Sequence, residues 1–245
     1  MQRYFLTLAY RGAPFHGWQT QPGAVTVQQT IEEGISTILR SPVKITGAGR
    51  TDTGVNAACM VAHFDLPEPL AMEPKAFVRA LNSILGKDIA IYDVRPVAPN
   101  MHARFSATSR TYHYYALTRK SPFFYPLAWQ APPALDFEAM NRAARLLLTT
   151  SDFTSFAKLH SDARTNICRV SRAEWIPAGP DAMVFVITAD RFLRNMVRAV
   201  VGTLVDVGRG KLTVEGFRDV IERRDRCAAG TSMPPQALYL YDITY

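Results

Sequence analysis

Cysteine pairs, clustered histidines and long apolar runs are all lacking in this sequence of 245 residues. Its 3 cysteines are odd in number, lie far apart and form no CxxC pair, so we expect reduced thiols and a cytoplasmic protein. No Cys or His pair has the spacing of zinc ligands, which predicts no metal site and argues against a zinc deaminase. No apolar run reaches the roughly 18 residues that a membrane-spanning helix needs, so we expect no membrane partner.

The composition favours a well-packed protein with a polyanionic partner. Hydrophobic residues make up 48% of the chain and charged residues 20%, enough for a sizeable core and too apolar for disorder. Lys and Arg number 28 against 21 Asp and Glu, which gives a net charge of +7 and favours binding to a polyanion. The length fits one large domain or two of ordinary size.

The apolar pattern of the first half predicts the order β-α-β-β-α-β, which is that of a ferredoxin-like unit. The first helix is expected to begin after Thr26, whose hydroxyl would form a capping box with the side chain of Gln29. The predicted elements of this half are strands over 4–9, 43–46, 60–66 and 89–94, and helices over 26–39 and from 74 onward.

A similar order is predicted to repeat from residue 104. We therefore predict an α+β fold with two ferredoxin-like, RRM-like halves, whose antiparallel sheets join into one extended sheet across a central cleft. The boundary is expected within 96–101, which gives domains over 1–100 and 101–245. The predicted elements of the second half are strands over 104–117, 168–176, 183–189 and 238–245, and helices over 136–148, 191–207 and 214–223.

The segment GAGRTDTGVNA at residues 47–57 predicts a tight loop after a strand, because its three glycines allow turns that bulky residues resist. The loop carries one carboxylate, Asp52, and the guanidinium of Arg50 two residues earlier. A nearby positive charge lowers the pKa of a carboxylate, so this setting suits an Asp that must stay ionised. An ordinary glycine turn with a solvated Asp would look the same, and the glycines do not fit the G-x-G-x-x-G phosphate loop.

The string Asp52-Thr53-Gly54 also matches the DTG of aspartic proteases. Those enzymes use two carboxylates that share one proton, and Arg50 would oppose such sharing. The sequence has no second DTG, so a protease would need a site built by two copies of the chain. This alternative is therefore disfavoured.

A second informative segment is ARFSATSRTYHY at residues 103–114. On a strand, Arg110, Tyr112 and Tyr114 would share one face. Basic and aromatic side chains interleaved on a sheet suit RNA, because phosphates need positive charge and an extruded base needs a stacking plane. The alternative is a core strand with packed tyrosines and arginines that reach solvent.

The segment FLRNMVR at residues 192–198 is predicted to be mostly helical core. Arg194 and Arg198 are spaced four residues apart, so we expect them to share another face of the helix. Taken alone, the pair predicts no more than a solvated basic patch.

Together these segments resemble the tRNA pseudouridine synthase A family. GRTDTGVNA is similar to its GRTDxGVHA motif, in which the Asp is catalytic, with Thr53 in place of the usual Ala and Asn56 in place of His. ARFSATSRTYHY resembles ARFxAxxRxYxY, and FLRNMVR resembles FLxxMVR. PPQALYL resembles APxxGLYL, with Ala237 at the usual Gly position.

The resemblance implies a homodimeric isomerase without a cofactor. It would convert uridine to pseudouridine at positions 38, 39 and 40 in the anticodon arm of tRNA. Asp52 would be the nucleophile or base, kept ionised and oriented by Arg50 and Arg198. Tyr112 would contact the target base, and Leu238 would form the apolar wall of the uracil pocket or simply pack in the core. Arg110 and Arg194 complete the expected substrate-binding residues.

A non-catalytic RNA-binding protein with two RRM-like halves is the alternative from another functional class. Such a protein would not need an Arg–Asp pair. The chain also lacks an RNP1-like string of the form K/R-G-F/Y-G/A-F-V-x-F/Y. Release of the uracil C5 hydrogen from tRNA would separate the two functions.

Overall fold

The computed structural model describes residues 1–159 and 164–245 and shows the mixed α+β fold that the sequence predicts. The chain divides into two compact units, one formed by residues 1–108 with 240–245 and the other by residues 109–239. The expected domain boundary at 100/101 stays a prediction. No helix within the described ranges is both long and apolar enough to span a membrane.

The first unit has a sheet with helices in the order β-α-β-β-α-β, as expected. Strand β1 pairs antiparallel with β3 on one side and with β4 on the other, and the short strand β2 pairs antiparallel with β3. The elements are β1 (Gln2–Tyr10), α1 (Val27–Leu39), β2 (Thr46–Gly47), β3 (Asn56–Leu66), α2 (Pro74–Ile84) and β4 (Ile89–Val97).

The predicted cap of α1 is half correct. The Thr26 hydroxyl accepts a hydrogen bond from the Gln29 backbone N–H at 3.4 Å, so Thr26 is the N-cap. The side chain of Gln29, however, donates to Glu33 at 2.9 Å rather than returning to the backbone of Thr26. The helix is therefore capped from one side only.

The strand predicted over 43–46 is shorter than expected. The side chain of Glu32, only 5% exposed on α1, accepts hydrogen bonds from the Ile45 backbone N–H at 3.1 Å and from Lys44 Nζ at 2.8 Å. Because a buried carboxylate takes the place of a strand partner, the backbone pairs regularly only at Thr46–Gly47. Glu32 thus fixes the path of the chain into the Asp52 loop.

The second unit contains an antiparallel sheet in the order β5-β8-β7, with the short strand β6 parallel to β5. The elements are β5 (Ser109–Leu117), β6 (Trp129–Gln130), α3 (Phe137–Ala144), β7 (Val170–Pro177), β8 (Ala182–Ala189), α4 (Met196–Gly208), α5 (Val214–Arg223) and β9 (Leu238–Thr244). Residues 240–245, which end β9 and the chain, belong to the first unit.

The prediction that α4 begins near residue 191 is wrong. The helix begins at Met196, because Asn195 has a left-handed backbone with φ of 67°. Arg194 therefore lies before the helix, is exposed, and does not share a helix face with Arg198. The basic face expected from their spacing does not form.

Residues 101–103 are tied to the sheet of the first unit by a cluster around His63. Arg3 donates two hydrogen bonds of 2.7 Å to Asp65 and one of 2.9 Å to the Met101 carbonyl. His63 is 6% exposed, and its Nδ1 accepts a hydrogen bond from the Ala103 N–H at 3.2 Å. Burial, and then the positive charge of Arg3, lower the pKa of His63 from 6.5 to about 4.

We expect the first unit to lose stability on mild acidification because of His63. Below pH 6.5 the unfolded chain binds a proton that the native imidazole does not bind until about pH 4, so the free energy of unfolding falls as the pH drops. At pH 5 the loss should be on the order of 2 kcal/mol. Urea unfolding at pH 7.5 and pH 5 should show a smaller loss in His63→Gln. His16→Gln, at an exposed position, is the control, and equal pH dependence in both variants would contradict the expectation.

Candidate active site

The Asp52 loop is a tight turn that leaves β2 and enters β3. The Ala48 N–H donates to the Val61 carbonyl at 2.8 Å, and the Val55 N–H donates to the Asp52 carbonyl at 3.1 Å. Gly54 has φ of 79°, which favours glycine at the turn. Asp52 is half-buried and Arg50 is exposed, so the carboxylate lies on a structured turn that solvent still reaches.

The loop contacts the segment FHGW at residues 15–18, which supports its backbone. The Trp18 N–H donates to the Thr51 carbonyl at 3.2 Å, and the hydroxyls of Tyr10 and Thr51 share a hydrogen bond of 2.8 Å. A Cβ at Gly17 would lie 2.5 Å from the Thr51 carbonyl oxygen, so only glycine permits this approach. The string FHGW therefore helps to hold Thr51, the residue before Asp52.

Asn56 and Thr53, the two residues that depart from the family motif, have different environments. Asn56 is 2% exposed, and its Oδ1 accepts a hydrogen bond from the Gly12 N–H at 2.8 Å. A Cβ at Gly12 would clash with the Val55 carbonyl, so this contact too depends on glycine. Thr53 is exposed on the turn. Asn56 is therefore a structural residue of the loop.

Strand β5 presents the predicted face of Arg110, Tyr112 and Tyr114. The Tyr112 ring meets Phe192 edge-on with 5.0 Å between centroids, and Arg110 donates to the Asp190 carbonyl at 2.9 Å. Tyr112 and Arg110 are both half-buried, whereas Tyr114 is completely buried and donates to the Pro234 carbonyl at 3.2 Å. Burial raises the pKa of Tyr114 far above its ordinary value, so its phenol stays neutral.

Arg198 lies in the first turn of α4 and forms hydrogen bonds with the segment that precedes β9. Its Nε donates to the Met233 carbonyl at 2.5 Å, and the Met233 N–H donates to the Arg198 carbonyl at 3.1 Å. Leu238, at the start of β9, is 5% exposed, and Ala237 before it is fully buried. The guanidinium plane of Arg198 is thus set by the backbone of Met233.

The candidate residues are distributed over both units. Asp52 and Arg50 belong to the first unit. The second unit contains the other five, which are Arg110, Tyr112, Arg194, Arg198 and Leu238. Across 1–159 and 164–245, no group of three or more His, Cys, Asp or Glu side chains is placed to hold a metal ion.

Several residues that support these side chains were missed by sequence reasoning. Tyr10 and Trp18 hold the Asp52 loop. Asn195, Arg226 and Ser232 hold the segment that Arg198 contacts. Only the FHGW string gave a sequence signal, because the other contacts join positions far apart in the chain.

Comparisons with known proteins identify the family. A family model described as tRNA pseudouridine synthase matches residues 143–245. A protein named tRNA pseudouridine synthase A from Parabacteroides distasonis is 56% identical over 245 residues, which cover 100% of this chain and 96% of the relative. A protein of the same name from Porphyromonas gingivalis is 55% identical, covering 100% of this chain and 98% of the relative. One from Nitrosomonas europaea is 39% identical, covering 98% and 88%. This chain therefore belongs to the tRNA pseudouridine synthase A family and is an isomerase.

Proposed function

We propose that the enzyme isomerises uridine to pseudouridine at positions 38, 39 and 40 in the anticodon stem-loop of tRNA, with Asp52 as the catalytic nucleophile or base. The observation that carries the proposal is the half-buried Asp52 on a turn that Trp18 and Tyr10 hold through Thr51. A reacting carboxylate needs such positioning together with access for the substrate. The loop provides both.

The reaction rearranges one nucleotide without a net change in its atoms. The bond between N1 of uracil and C1′ of the ribose breaks, the base turns, and C5 forms the new bond to C1′. The C5 proton leaves and N1 gains a proton. A carboxylate can attack the sugar or base, or remove a sugar proton, and both roles need the ionised form of Asp52. The reaction requires no redox cofactor and no metal.

The remaining candidate residues complete the proposed site. Arg50 and Arg198 would keep Asp52 ionised and oriented, since an opposite charge stabilises a carboxylate. The half-buried Tyr112 would stack on the flipped uracil, and the apolar side chain of Leu238 would line the pocket. Arg110 and Arg194 would contact the tRNA backbone, where positive charge is favourable.

The same proposal includes the wider organisation of the protein. The order β4-β1-β3 with β2 on β3 supports a ferredoxin-like first unit, and the order β5-β8-β7 supports a related second unit. We place the enzyme in the cytoplasm, where its tRNA substrate is found, and expect it to act as a homodimer. None of its three cysteines forms a disulfide, which fits that compartment.

The proposed reaction is tested with a tRNA transcript tritiated at uracil C5. Pseudouridine formation releases that tritium to water, and binding alone does not. We expect release limited to uridines at positions 38, 39 and 40, measured with transcripts that keep uridine at one of these positions and cytidine at the other two. Tight binding without release would refute the catalytic role, and release from other sites alone would refute the assigned positions.

We expect Tyr112 to act through its ring. Stacking on a base is worth about 1–3 kcal/mol by alanine substitution, so Tyr112→Phe should retain tRNA affinity and Tyr112→Leu should weaken it or slow turnover. If the phenol also transfers a proton, Tyr112→Phe will bind tRNA normally yet release tritium slowly. Filter binding and tritium release measure the two effects separately. Equal activity of the wild type and both variants would remove Tyr112 from the site.

A further inference from the structure

The segment at residues 229–234 lies against α4. It is held there by side chains that are not part of the proposed site. Gly202 on α4 lies so near this segment that a Cβ would clash with the Thr231 carbonyl oxygen. The Gly230 N–H donates to the Thr203 hydroxyl at 2.9 Å, and Thr203 is 1% exposed. The backbone of the segment is thus seated on the helix surface, and Met233 at its end meets Arg198.

The side chains of Arg226 and Asn195 both bind this segment. Arg226 donates to the Ala229 and Gly230 carbonyls at 3.3 and 3.2 Å, and its Nη2 donates to Ser232 Oγ at 2.9 Å. Asn195 Nδ2 donates to the same Ser232 oxygen at 2.6 Å. The Ser232 hydroxyl therefore joins Arg226 to Asn195, the residue just before α4.

These contacts converge on the orientation of Arg198. Asn195 is the N-cap of α4, with a left-handed backbone, and Arg198 lies three residues later. The Arg198 Nε bonds to the Met233 carbonyl, one residue after Ser232. A guanidinium is planar, so a hydrogen bond through Nε sets the direction of its whole donor edge. The position of Met233 consequently determines where that edge points.

We infer that Arg226 and Ser232 are positioning residues for the isomerisation, which act by holding the Met233 carbonyl against Arg198. The inference rests on the proposed role of Arg198 in the reaction. We do not expect Arg226 to touch the substrate. It fixes the segment at 229–232. The Ser232 hydroxyl bonds to Asn195, and the next residue, Met233, bonds to Arg198.

The test is a kinetic comparison of Ser232→Ala, Ser232→Thr and Arg226→Gln with the wild type. Misplacement of a catalytic group by about 1 Å can cost around a hundredfold in rate, so we expect Ser232→Ala to lower kcat for tritium release by at least about tenfold. KM and tRNA affinity should stay near the wild-type values. Ser232→Thr keeps the hydroxyl and should restore much of kcat. Arg223→Gln is the control, since it removes one exposed positive charge from the adjacent end of α5.

A double-mutant cycle separates positioning from general destabilisation. If Arg226 acts through Arg198, Arg226→Gln should cost much less in the Arg198→Lys background than in the wild type. Rate losses that multiply in the double variant would overturn the inference. A wild-type kcat for Ser232→Ala would also overturn the inference. Thermal unfolding shows whether Arg226→Gln is folded, and if it is not, Ser232→Ala is the deciding variant. Absence of tritium release in the wild type would instead refute the proposed function.

Discussion

Asp52→Asn should give a folded protein that binds tRNA and releases no tritium from it. The amide nearly matches the carboxylate in size but has no negative charge, so it can act neither as a nucleophile nor as a base. The loop should keep its structure, because the turn at Asp52 is held by backbone groups and by Thr51 rather than by the carboxylate alone. Single-turnover tritium release and filter binding on the same samples measure the two expectations.

Asp93→Asn is the matched control for this variant. Asp93 is exposed on β4 of the same unit, so its replacement removes the same charge away from the loop. We expect full activity in Asp93→Asn. Tritium release near the wild-type rate in Asp52→Asn would end the assignment of Asp52 as the catalytic residue.

Arg198→Lys should lower turnover by roughly a hundredfold or more, a loss typical of a misplaced catalytic group, while tRNA affinity changes little. A lysine ammonium is a point charge and cannot reproduce the planar, two-point geometry of a guanidinium. It also cannot bond to the Met233 carbonyl through an equivalent of Nε. In Arg198→Leu any residual rate should rise with pH, because the proposed pairing with Asp52 would be lost and the carboxylate would be harder to ionise.

Two arginines serve as controls for Arg198→Lys. Arg194→Lys alters an exposed residue before the helix but keeps its positive charge, so turnover and the salt dependence of binding should both change little. Arg223→Lys alters an exposed residue at the end of α5, outside the proposed site and its supporting contacts. The pairing hypothesis should be abandoned if Arg194→Lys and Arg198→Lys have the same turnover. A pH-dependent remnant in Arg198→Leu, with the wild-type pH dependence in Arg223→Lys, would support it.

Local sequence patterns predicted most of the helices and strands, and they predicted which candidate residues share a strand face. The alternation in β5 placed Arg110 and Tyr112 on one face, and the Thr26 hydroxyl caps α1 as expected. These features depend on residues within one or two turns of each other, so the sequence alone contains the needed information.

Features set by distant contacts could not be predicted in this way. Asn195 delays the start of the predicted helix to Met196, and its side chain bonds to Ser232, which lies 37 positions later. Glu32 resembles a solvent-facing helix residue, yet it is buried because the Ile45 backbone needs an acceptor. In both cases a polar side chain satisfies backbone or hydroxyl groups that sequence periodicity does not reveal.

The close approach of Gly12 and Gly17 to the Asp52 loop has a consequence for how this protein can change. Both glycines lie more than 30 positions before Asp52, yet a methyl group at either would push directly on the backbone at Val55 or Thr51. Gly49, inside the loop itself, faces open space and could carry a side chain. Substitutions that alter this loop should therefore be tolerated at Gly49, while the segment at 12–17 is kept as it is.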